Sequence, residues 1–313
     1  MKKIGISFIC VFLLVIGNLS TAPVVSADEI KSRAAVVMDA VSGKVLFAKN
    51  PDLRLMPAST TKLMTALVVT DRADLSDIVT VSEKAASAPA TKIGLKKGDT
   101  VTIQTLLNAA LIRSANDAAV ALAEAVANSE EEFVDLMNRR AIELGLYNTR
   151  FINPNGLPGP GQYITAYDLA EIMRQAINNP LLKEILGTRV AELSTEEGKT
   201  TFVKNTNHLL WSDHELLVGK TGYTRQARHC FTGAGERETG TTIVAVLGTP
   251  SRGLLWEETE YLMALGTRVL NNLEEPVVYI TKVDYDAAKM KKASVAKKQR
   301  AKKSTKKKKK IVF

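Results

Sequence analysis

Hydrophobic and polar positions alternate along residues 33–50, RAAVVMDAVSGKVLFAKN, with Ser-Gly at the middle of the stretch. A period of two residues interrupted by turn residues predicts a β-hairpin. Strand-like stretches return near the C-terminus, in HELLVGKTGYT, RHCFTGAGE and GTTIVAVLGT. Between these two regions the apolar residues recur every three to four positions, as in TIQTLLNAALIRS, DAAVALAEAVA and EEEFVDLMNRRAIELG. This longer period predicts amphipathic helices.

Strands at both ends of the chain and helices in the middle are typical of the α+β class. The simplest closure pairs the N-terminal hairpin with the C-terminal strands in one antiparallel sheet. Helices then flank this sheet, and a helical lobe is inserted at about residues 81–200. A closing helix, EETEYLMALGTRVLNN, follows the last strands. Thr165 is placed to cap the helix of TAYDLAEIMRQAINN.

The first 27 residues have the pattern of a secretory signal peptide. Two lysines precede a short apolar run, and Val25-Ser26-Ala27 supplies small residues at the cleavage spacing. Cleavage before Asp28 predicts an extracytoplasmic protein, in the periplasm or associated with the cell wall. The alternative is an uncleaved membrane anchor, for which the apolar run is short.

The chain has two cysteines and three histidines, too few and too poorly spaced to predict a disulfide or a metal site. Cys10 lies in the signal segment, so Cys230 has no partner for an intrachain disulfide, and its apolar surroundings predict a core position. His208, His214 and His229 lack the spacing of metal ligands. We therefore expect no metal and no cofactor.

The net charge of +9 is a property of the C-terminal tail. Residues 287–313 contain 13 lysines and arginines and no acidic residue, so residues 1–286 carry 9 − 13 = −4. The composition predicts a folded domain at residues 28–272 and a basic, mostly disordered tail at 273–313, with one more strand in EEPVVYITKVDYD as an open alternative. A polycation can bind an anionic envelope surface. The tail is otherwise a solvated extension, and no nucleic-acid partner is expected in this compartment.

The stretch PASTTKLMTALVV places Ser59 at the start of a helix and Lys62 one turn later. Positions i and i+3 share a helix face, so the lysine reaches the serine. A hydroxyl becomes a good nucleophile only when a base takes its proton, and burial or a second cation makes a lysine such a base. Taken alone, the spacing favours an N-cap serine followed by a solvent-exposed lysine.

Two further motifs support the chemical interpretation. Ser114 and Asn116 lie in SAN between two predicted helices, where a tight connection directs a hydroxyl and an amide into a cleft, or simply caps the next helix. Lys220, Thr221 and Gly222 lie on a predicted strand. They offer a cation, a hydroxyl and room for a ligand backbone, or form an ordinary polar edge strand.

All three motifs in this order are the signature of serine β-lactamases and penicillin-binding proteins. The surrounding stretches PASTTKLMTALV, RSANDAAVALAE, LGLYNTRFINPNGL, TAYDLA, NTNHLL and GKTGYT are similar to the low-molecular-mass penicillin-binding D-alanyl-D-alanine carboxypeptidases. The resemblance covers residues 33–272 and implies the β-lactamase/DD-peptidase-like fold. It also implies a penicillin-sensitive enzyme that removes the terminal D-alanine from peptidoglycan stem peptides.

The resemblance implies three catalytic residues. Ser59 attacks the carbonyl between the two D-alanines, Lys62 takes its proton, and Ser114 relays a proton to the leaving amine. The backbone N–H groups of Ser59 and Tyr223 form the oxyanion hole. β-Lactams acylate the same serine because they imitate the terminal dipeptide.

The other implied roles concern substrate binding. Asn116 holds the amide side of the substrate, and Lys220 and Thr221 engage its terminal carboxylate. The peptide lies as an added strand along Lys220 to Gly222. Asp168 matches an acidic residue that organises a loop near the site.

The sequence departs from its relatives at three points. Arg252 is close to, but not at, the position of an arginine that binds the terminal carboxylate. Arg228 stands where relatives usually have glycine, and it is a candidate for the missing charge. No room remains after residue 272 for both a second domain and an anchor helix, a layout that resembles the penicillin-binding endopeptidases, which cleave D-alanine cross-links.

Two other classes compete with these peptidases. A β-lactamase needs a carboxylate that activates water and usually carries aspartate where Ala115 stands. A non-catalytic cell-wall binding protein has no need for Ser59, Lys62 and Lys220 together. Both are less favoured than the carboxypeptidase and the endopeptidase.

Overall fold

A computed structural model of the chain describes residues 30–212, 216–237 and 239–281. The predicted signal segment at residues 1–27, His214 and the lysine-rich part of the tail lie outside these described residues. Within the described ranges, no helix combines the length and apolar character needed to cross a bilayer.

The described residues form ten strands, and the larger part of them belongs to one sheet. In chain order the strands are β1 (Ala34–Asp39), β2 (Val45–Lys49), β3 (Ile78–Thr80), β4 (Thr100–Thr102), β5 (Val190–Ser194), β6 (Thr200–Lys204), β7 (Leu216–Thr224), β8 (Arg228–Arg237), β9 (Gly240–Thr249) and β10 (Val277–Tyr279).

The described helices occupy mainly the middle of the chain and its last quarter. They are α1 (Lys62–Thr70), α2 (Glu83–Ala86), α3 (Ile103–Asn108), α4 (Asn116–Ala127), α5 (Glu130–Glu143), α6 (Ala166–Asn178), α7 (Pro180–Gly187), α8 (Leu209–Ser212) and α9 (Arg252–Leu270), with a 3₁₀ turn at Ala58–Thr61 and a π-helical turn at Ala109–Arg113.

The main sheet has the strand order β10-β2-β1-β9-β8-β7. Strand β1 pairs antiparallel with both β2 and β9, so the N-terminal hairpin and the C-terminal strands close one sheet, as the sequence predicts. The α+β class is confirmed. Two small antiparallel hairpins, β3–β4 and β5–β6, accompany the helices in the middle of the chain.

Helices cover both faces of the sheet, and every residue from Ala34 to Met38 is therefore buried. Val36 and Met38 belong to the main core together with residues of α6. Val37 points to the opposite face and packs against Gly266 of α9, where an added Cβ would lie 2.7 Å from Val37 Cγ1. The sheet is thus the middle layer of three.

Strand β10 runs parallel to β2, so the sheet is mixed rather than purely antiparallel. Asn50 fixes this strand because its backbone N–H donates to Tyr279 O and its Oδ1 accepts from Thr281 N, both at 2.8 Å. Long helix α9 carries the chain back across the sheet, which makes a parallel return possible. Ordered structure therefore extends past residue 272, where the sequence places the start of a mostly disordered tail.

Helix α1 lies at the centre of the core, in contact with α4, α5 and α6. All its residues from Lys62 to Val69 are buried. The alanine-rich α4 allows close packing against it, since Ala118, Ala121 and Ala123 are at most 1% exposed. Because α1 is held on all sides, the turn that precedes it is held as well.

Candidate active site

Ser59 lies in the 3₁₀ turn that leads into α1. The preceding residue, Ala58, has a left-handed backbone with φ 50°, which redirects the chain into the turn. Two glycines pack closely against this turn. A Cβ at Gly222 of β7 would lie 3.0 Å from Ser59 N, and a Cβ at Gly156 would lie 1.8 Å from Ala58 O. Ser59 is therefore fixed between β7 and the loop that contains Gly156.

Lys62 is fully buried directly behind Ser59. Its Nζ lies 3.2 Å from Ser59 Oγ, and it donates to Asn116 Oδ1 and to the backbone oxygen of Asn155, both at 2.7 Å. Burial lowers the pKa of the Lys62 amine well below its usual value, and the nearby Lys220 amine lowers it further, whereas Asp117 raises it.

The contacts of Lys62 suit a neutral amine. An amine without its extra proton has two N–H donors and one lone pair. The oxygens of Asn116 and Asn155 can only accept, so they use both donors. The lone pair is then left for the hydroxyl of Ser59, which is the arrangement required of a general base next to a nucleophile.

The SAN turn is shaped by the π-helical turn before it. Ser114 follows this turn with φ 66°, and Ala115 N donates back to Ala109 O at 3.0 Å. Ser114 is 7% exposed, and it lines the cleft. An ordinary α-helical connection would not reverse the chain here, so the extra residue of the π turn positions the Ser114 hydroxyl.

Asn116 is engaged at both ends of its amide. Its Oδ1 accepts from Lys62, and its Nδ2 donates to Pro89 O at 2.9 Å. Its backbone N–H donates to Thr91 O at 2.7 Å. Asn116 is 3% exposed and lies behind the cleft wall, where it positions the lysine.

Asp117 holds the neighbouring loop. Its buried carboxylate accepts backbone N–H groups from Ile93, Gly94 and Leu95, at 3.1, 2.9 and 3.1 Å to Oδ2. These hydrogen bonds solvate the carboxylate, so a negative charge can remain close to Lys62 without a direct ion pair.

Lys220 on β7 is also completely buried. Burial lowers the pKa of its amine to about 7. Its Nζ donates to the backbone oxygen of Thr221 at 3.2 Å. The Thr221 hydroxyl donates to Thr206 Oγ1 at 2.6 Å and lines the cleft.

The low pKa of Lys220 predicts a stability that rises with pH. Between pH 7 and the ordinary lysine value of 10.5 the unfolded chain binds a proton at Lys220 that the folded chain has lost. Stability therefore increases through this window, by ~1.4 kcal/mol per pH unit for one such group. Thermal or urea unfolding of the wild type and Lys220→Met between pH 7 and 9 measures this slope.

We expect a shallower rise for Lys220→Met than for the wild type, and equal slopes would contradict the assignment. Burial raises the pKa of Cys230 from its usual value of 9.0 to about 12. Above pH 9 the unfolded chain therefore loses the thiol proton that the folded chain keeps, which lowers stability as the pH rises. Measurements stop at pH 9 to avoid this opposite effect. Cys230 itself is 0% exposed and lies in the core, as the sequence predicts.

An open cleft of about 310 Å³ lies in front of these groups, beside edge strand β7. It is walled on one side by the Ser59 turn and on the other by the start of α9. The lining residues are Ser59, Thr91, Ser114, Thr206, Thr221, Gly222, Tyr223, His229, Arg252, Leu255 and Trp256.

The structure thus brings most of the predicted site residues together. Ser59, Ser114, Thr221, Gly222 and Tyr223 line the cleft. The other three predicted catalytic and substrate-binding residues, Lys62, Asn116 and Lys220, lie buried behind it.

Asp168 and Arg228 are not among the residues that line the cleft. Asp168 is buried in α6 and accepts from Thr149 Oγ1 at 2.7 Å, while its backbone N–H is capped by Thr165 as predicted. Burial raises the pKa of Asp168, and its hydrogen bonds lower it. It holds the start of the loop 147–165. Arg228 is exposed and has φ 64°.

Sequence reasoning left Arg252 in doubt and missed His229, Thr206 and Trp256. Arg252 begins α9 and lines the cleft. Trp256 lies one turn further along α9 and packs edge-on against Phe231, with ring centroids 5.4 Å apart. An arginine followed one turn later by an aromatic residue on the closing helix was the only available signal.

Among the described residues, no group of three or more histidine, cysteine, aspartate or glutamate side chains is arranged to hold a metal ion. The chemistry open to this site is that of a serine, two lysines and a second serine.

A three-layer fold whose central helix begins at a serine–lysine pair, faced by a lysine-bearing edge strand, is the arrangement shared by serine β-lactamases and penicillin-binding proteins. The chain belongs to the D-alanyl-D-alanine carboxypeptidase family, whose model matches residues 21–251.

Two curated relatives and one solved structure illustrate the family. The chain is 39% identical over 223 residues to the D-alanyl-D-alanine carboxypeptidase DacF of Bacillus subtilis, covering 70% of this chain and 57% of that protein. It is 33% identical over 249 residues to a D-alanyl-D-alanine endopeptidase of Pseudomonas aeruginosa, covering 74% and 78%.

The crystal structure of a penicillin-binding protein homologue of Mycobacterium tuberculosis superimposes with a TM-score of 0.74 at 30% identity, covering 80% of this chain and 95% of that one. The match with the Bacillus relative spans less than two thirds of its length. The residues matched by the family model include five of the six strands of the main sheet, all except β10.

Proposed function

We propose that this protein is a penicillin-sensitive serine carboxypeptidase that removes the terminal D-alanine from peptidoglycan stem peptides. The observation that carries the proposal is the environment of Lys62. Two carbonyl oxygens at 2.7 Å accept its N–H groups, and Ser59 Oγ lies 3.2 Å away on its remaining side.

Acylation begins when Ser59 Oγ attacks the carbonyl carbon between the two D-alanines and its proton moves to Lys62 Nζ. The negative charge that develops on the carbonyl oxygen is stabilised by the backbone N–H groups of Ser59 and Tyr223. Gly222, the residue before Tyr223, lets β7 approach Ser59 N closely. The C–N bond then breaks, and Ser114 relays the proton from Lys62 to the leaving amine by giving up its own hydroxyl proton and taking the one on Lys62, so that Lys62 is neutral again. Free D-alanine departs, and Ser59 carries the shortened peptide as an ester.

Deacylation repeats the sequence with water as the nucleophile. Lys62 takes a proton from water, the ester bond breaks, and Ser59 regains its hydroxyl proton. A β-lactam acylates the same oxygen, but its leaving nitrogen stays attached through the opened ring. The adduct therefore blocks the approach of water, and hydrolysis is slow.

The protonation of Lys62 depends on Lys220. Lys220 lowers the pKa of Lys62, so a protonated Lys220 favours a neutral Lys62. Asn116 also acts as the acceptor that orients Lys62. Its Nδ2 donates one N–H to Pro89 O and keeps the second for the predicted contact with the substrate amide.

The terminal carboxylate of the substrate fits the end of the cleft where Arg252 and Thr221 lie. An arginine guanidinium binds a carboxylate through two parallel hydrogen bonds. Arg252 would thus take the place of the arginine that relatives carry just before the closing helix.

Replacing Arg252 with alanine is expected to lower kcat/KM for a D-alanyl-D-alanine peptide and the rate of β-lactam acylation by about tenfold each, because a charge-assisted hydrogen bond to a partly exposed carboxylate contributes ~1.4 kcal/mol. Steady-state release of D-alanine and stopped-flow acylation measure the two effects. If Arg228→Gly slows β-lactam acylation and Arg252→Ala does not, Arg228 supplies this charge instead.

The proposed activity is tested by mass spectrometry of the products from a defined stem pentapeptide and from a cross-linked muropeptide dimer, with Ser59→Ala as the control. The wild type is expected to release D-alanine from the pentapeptide, and the Ser59→Ala protein to release none. Cleavage of the dimer without release from the pentapeptide would identify an endopeptidase. No cleavage of either substrate would overturn the proposal.

An enzyme of this specificity works outside the cytoplasmic membrane, where its polymeric substrate is found. Export by the N-terminal segment and binding of the basic residues 287–313 to anionic envelope polymers stay predictions from the sequence, since both segments lie outside the described residues.

A further inference from the structure

The turn between β7 and β8 contains an arginine in an unfavourable backbone conformation. Thr224 pairs with Arg228, so the loop between the strands has three residues. Three-residue hairpin loops are typically followed by a residue in the left-handed region, which glycine occupies at no cost. Arg228 takes this place with φ 64°. The turn itself gives no reason for a long charged side chain there.

The position of Arg228 supplies such a reason. Its side chain is exposed, and His229 next to it lines the cleft. The ring of His229 lies 4.5 Å from the ring of Tyr223, which forms the same end of the cleft. The charge of Arg228 also contributes to the low pKa of His229, after burial and Arg252. Arg228 therefore stands beside His229, at the turn that ends β7 just beyond Tyr223.

The proposed function sets the direction of a bound peptide, and the inference rests on it. The terminal carboxylate lies near Thr221 and the reacting carbonyl lies at the N–H group of Tyr223. The remainder of the stem peptide must then continue along β7 towards Thr224 and the turn. At ~3.3 Å per residue, the two residues before the penultimate D-alanine cover about 7 Å and reach the level of Arg225 and Arg228.

We propose that Arg228, assisted by the exposed Arg225, forms a subsite for the carboxylate of an acidic residue in the stem peptide upstream of the two D-alanines. Guanidinium groups prefer carboxylates and lose most of this preference when the carboxylate is replaced by a neutral amide. The enzyme then distinguishes stem peptides with a free upstream carboxylate from those in which it is amidated.

The test uses two synthetic peptides that end in D-alanyl-D-alanine and differ only in an upstream carboxylate or carboxamide. The wild type is expected to have about tenfold higher kcat/KM for the carboxylate peptide at low salt. Arg228→Gly removes the charge and suits the backbone, so the protein should fold at least as well. Its preference should fall to about twofold or less, with the carboxamide peptide hydrolysed as before. Arg225→Ala should reduce the preference partially.

Two controls separate this inference from the proposed function. Arg72→Ala removes an exposed arginine just after the C-terminal end of α1, and it should keep the full preference. Acylation by a β-lactam, which has no upstream peptide, should be equal in Arg228→Gly and the wild type. A wild type that hydrolyses both peptides equally, or an Arg228→Gly protein that keeps the preference, overturns the subsite. Hydrolysis of neither peptide counts against the proposed function.

Discussion

Replacing Lys62 with methionine is expected to reduce acylation of Ser59 by ~10⁴-fold while the chain still folds. Methionine has a similar length and no amine, so Ser59 keeps its position but loses the group that accepts its proton. The oxygens of Asn116 and Asn155 lose a donor, while the cost of burying an ionisable amine disappears. The rate of labelling by a fluorescent penicillin measures the change, and the melting temperature reports on folding.

Two reference variants make the Lys62 result specific. Ser59→Ala should show no labelling at all. Lys62→Arg keeps a cation that cannot lose its proton, so it should be as inactive as Lys62→Met. Labelling of Lys62→Met within tenfold of the wild-type rate would show that another group activates Ser59.

The Gly156→Ala substitution is expected to have the second largest effect. A methyl group at Gly156 would lie 1.8 Å from Ala58 O and 2.4 Å from Ala58 C, which are backbone atoms of the turn that carries Ser59. The left-handed backbone at φ 82° adds a further cost. The turn or the loop has to move, and either movement takes Asn155 O away from Lys62. We expect a loss of ~3 kcal/mol in stability and at least ~100-fold slower acylation.

Gly198→Ala is a matched control for this substitution. Gly198 has nearly the same φ, 81°, but a Cβ there would meet no heavy atom within 4 Å. The Gly198→Ala variant should therefore lose only about 1 kcal/mol of unfolding free energy, from the left-handed backbone, and should be acylated at the normal rate. Denaturant unfolding and penicillin labelling of both variants isolate the contact with Ala58. Equal behaviour of the two variants would show that the contact does not hold Ser59 in place.

The sequence predicts the parts of this site that depend on local spacing. Ser59 and Lys62 are one helical turn apart, and the pattern of strands and helices suffices to put Lys220 on a strand of the same sheet as the N-terminal hairpin. Thr165 as a helix cap is equally local, and the structure has it in that role.

The rest of the site depends on contacts between distant segments. The acceptor Asn155 O lies 93 residues from Lys62 along the chain, and a backbone oxygen has no signature in the sequence. The same applies to the π-helical turn that orients Ser114, since no residue type marks it. Arg252 could not be placed because its position depends on where α9 starts relative to β8 and β9. The parallel pairing of β10 depends on the length of α9.

The strand order has a consequence for how the enzyme can be held in place. Strand β7 is one edge of the six-stranded sheet and β10 is the other. Five inter-strand spacings of ~4.8 Å separate them, about 24 Å in all. A group attached to the surface beside β10 is thus held at the far side of the sheet from the catalytic edge, and it leaves the entrance to substrate open.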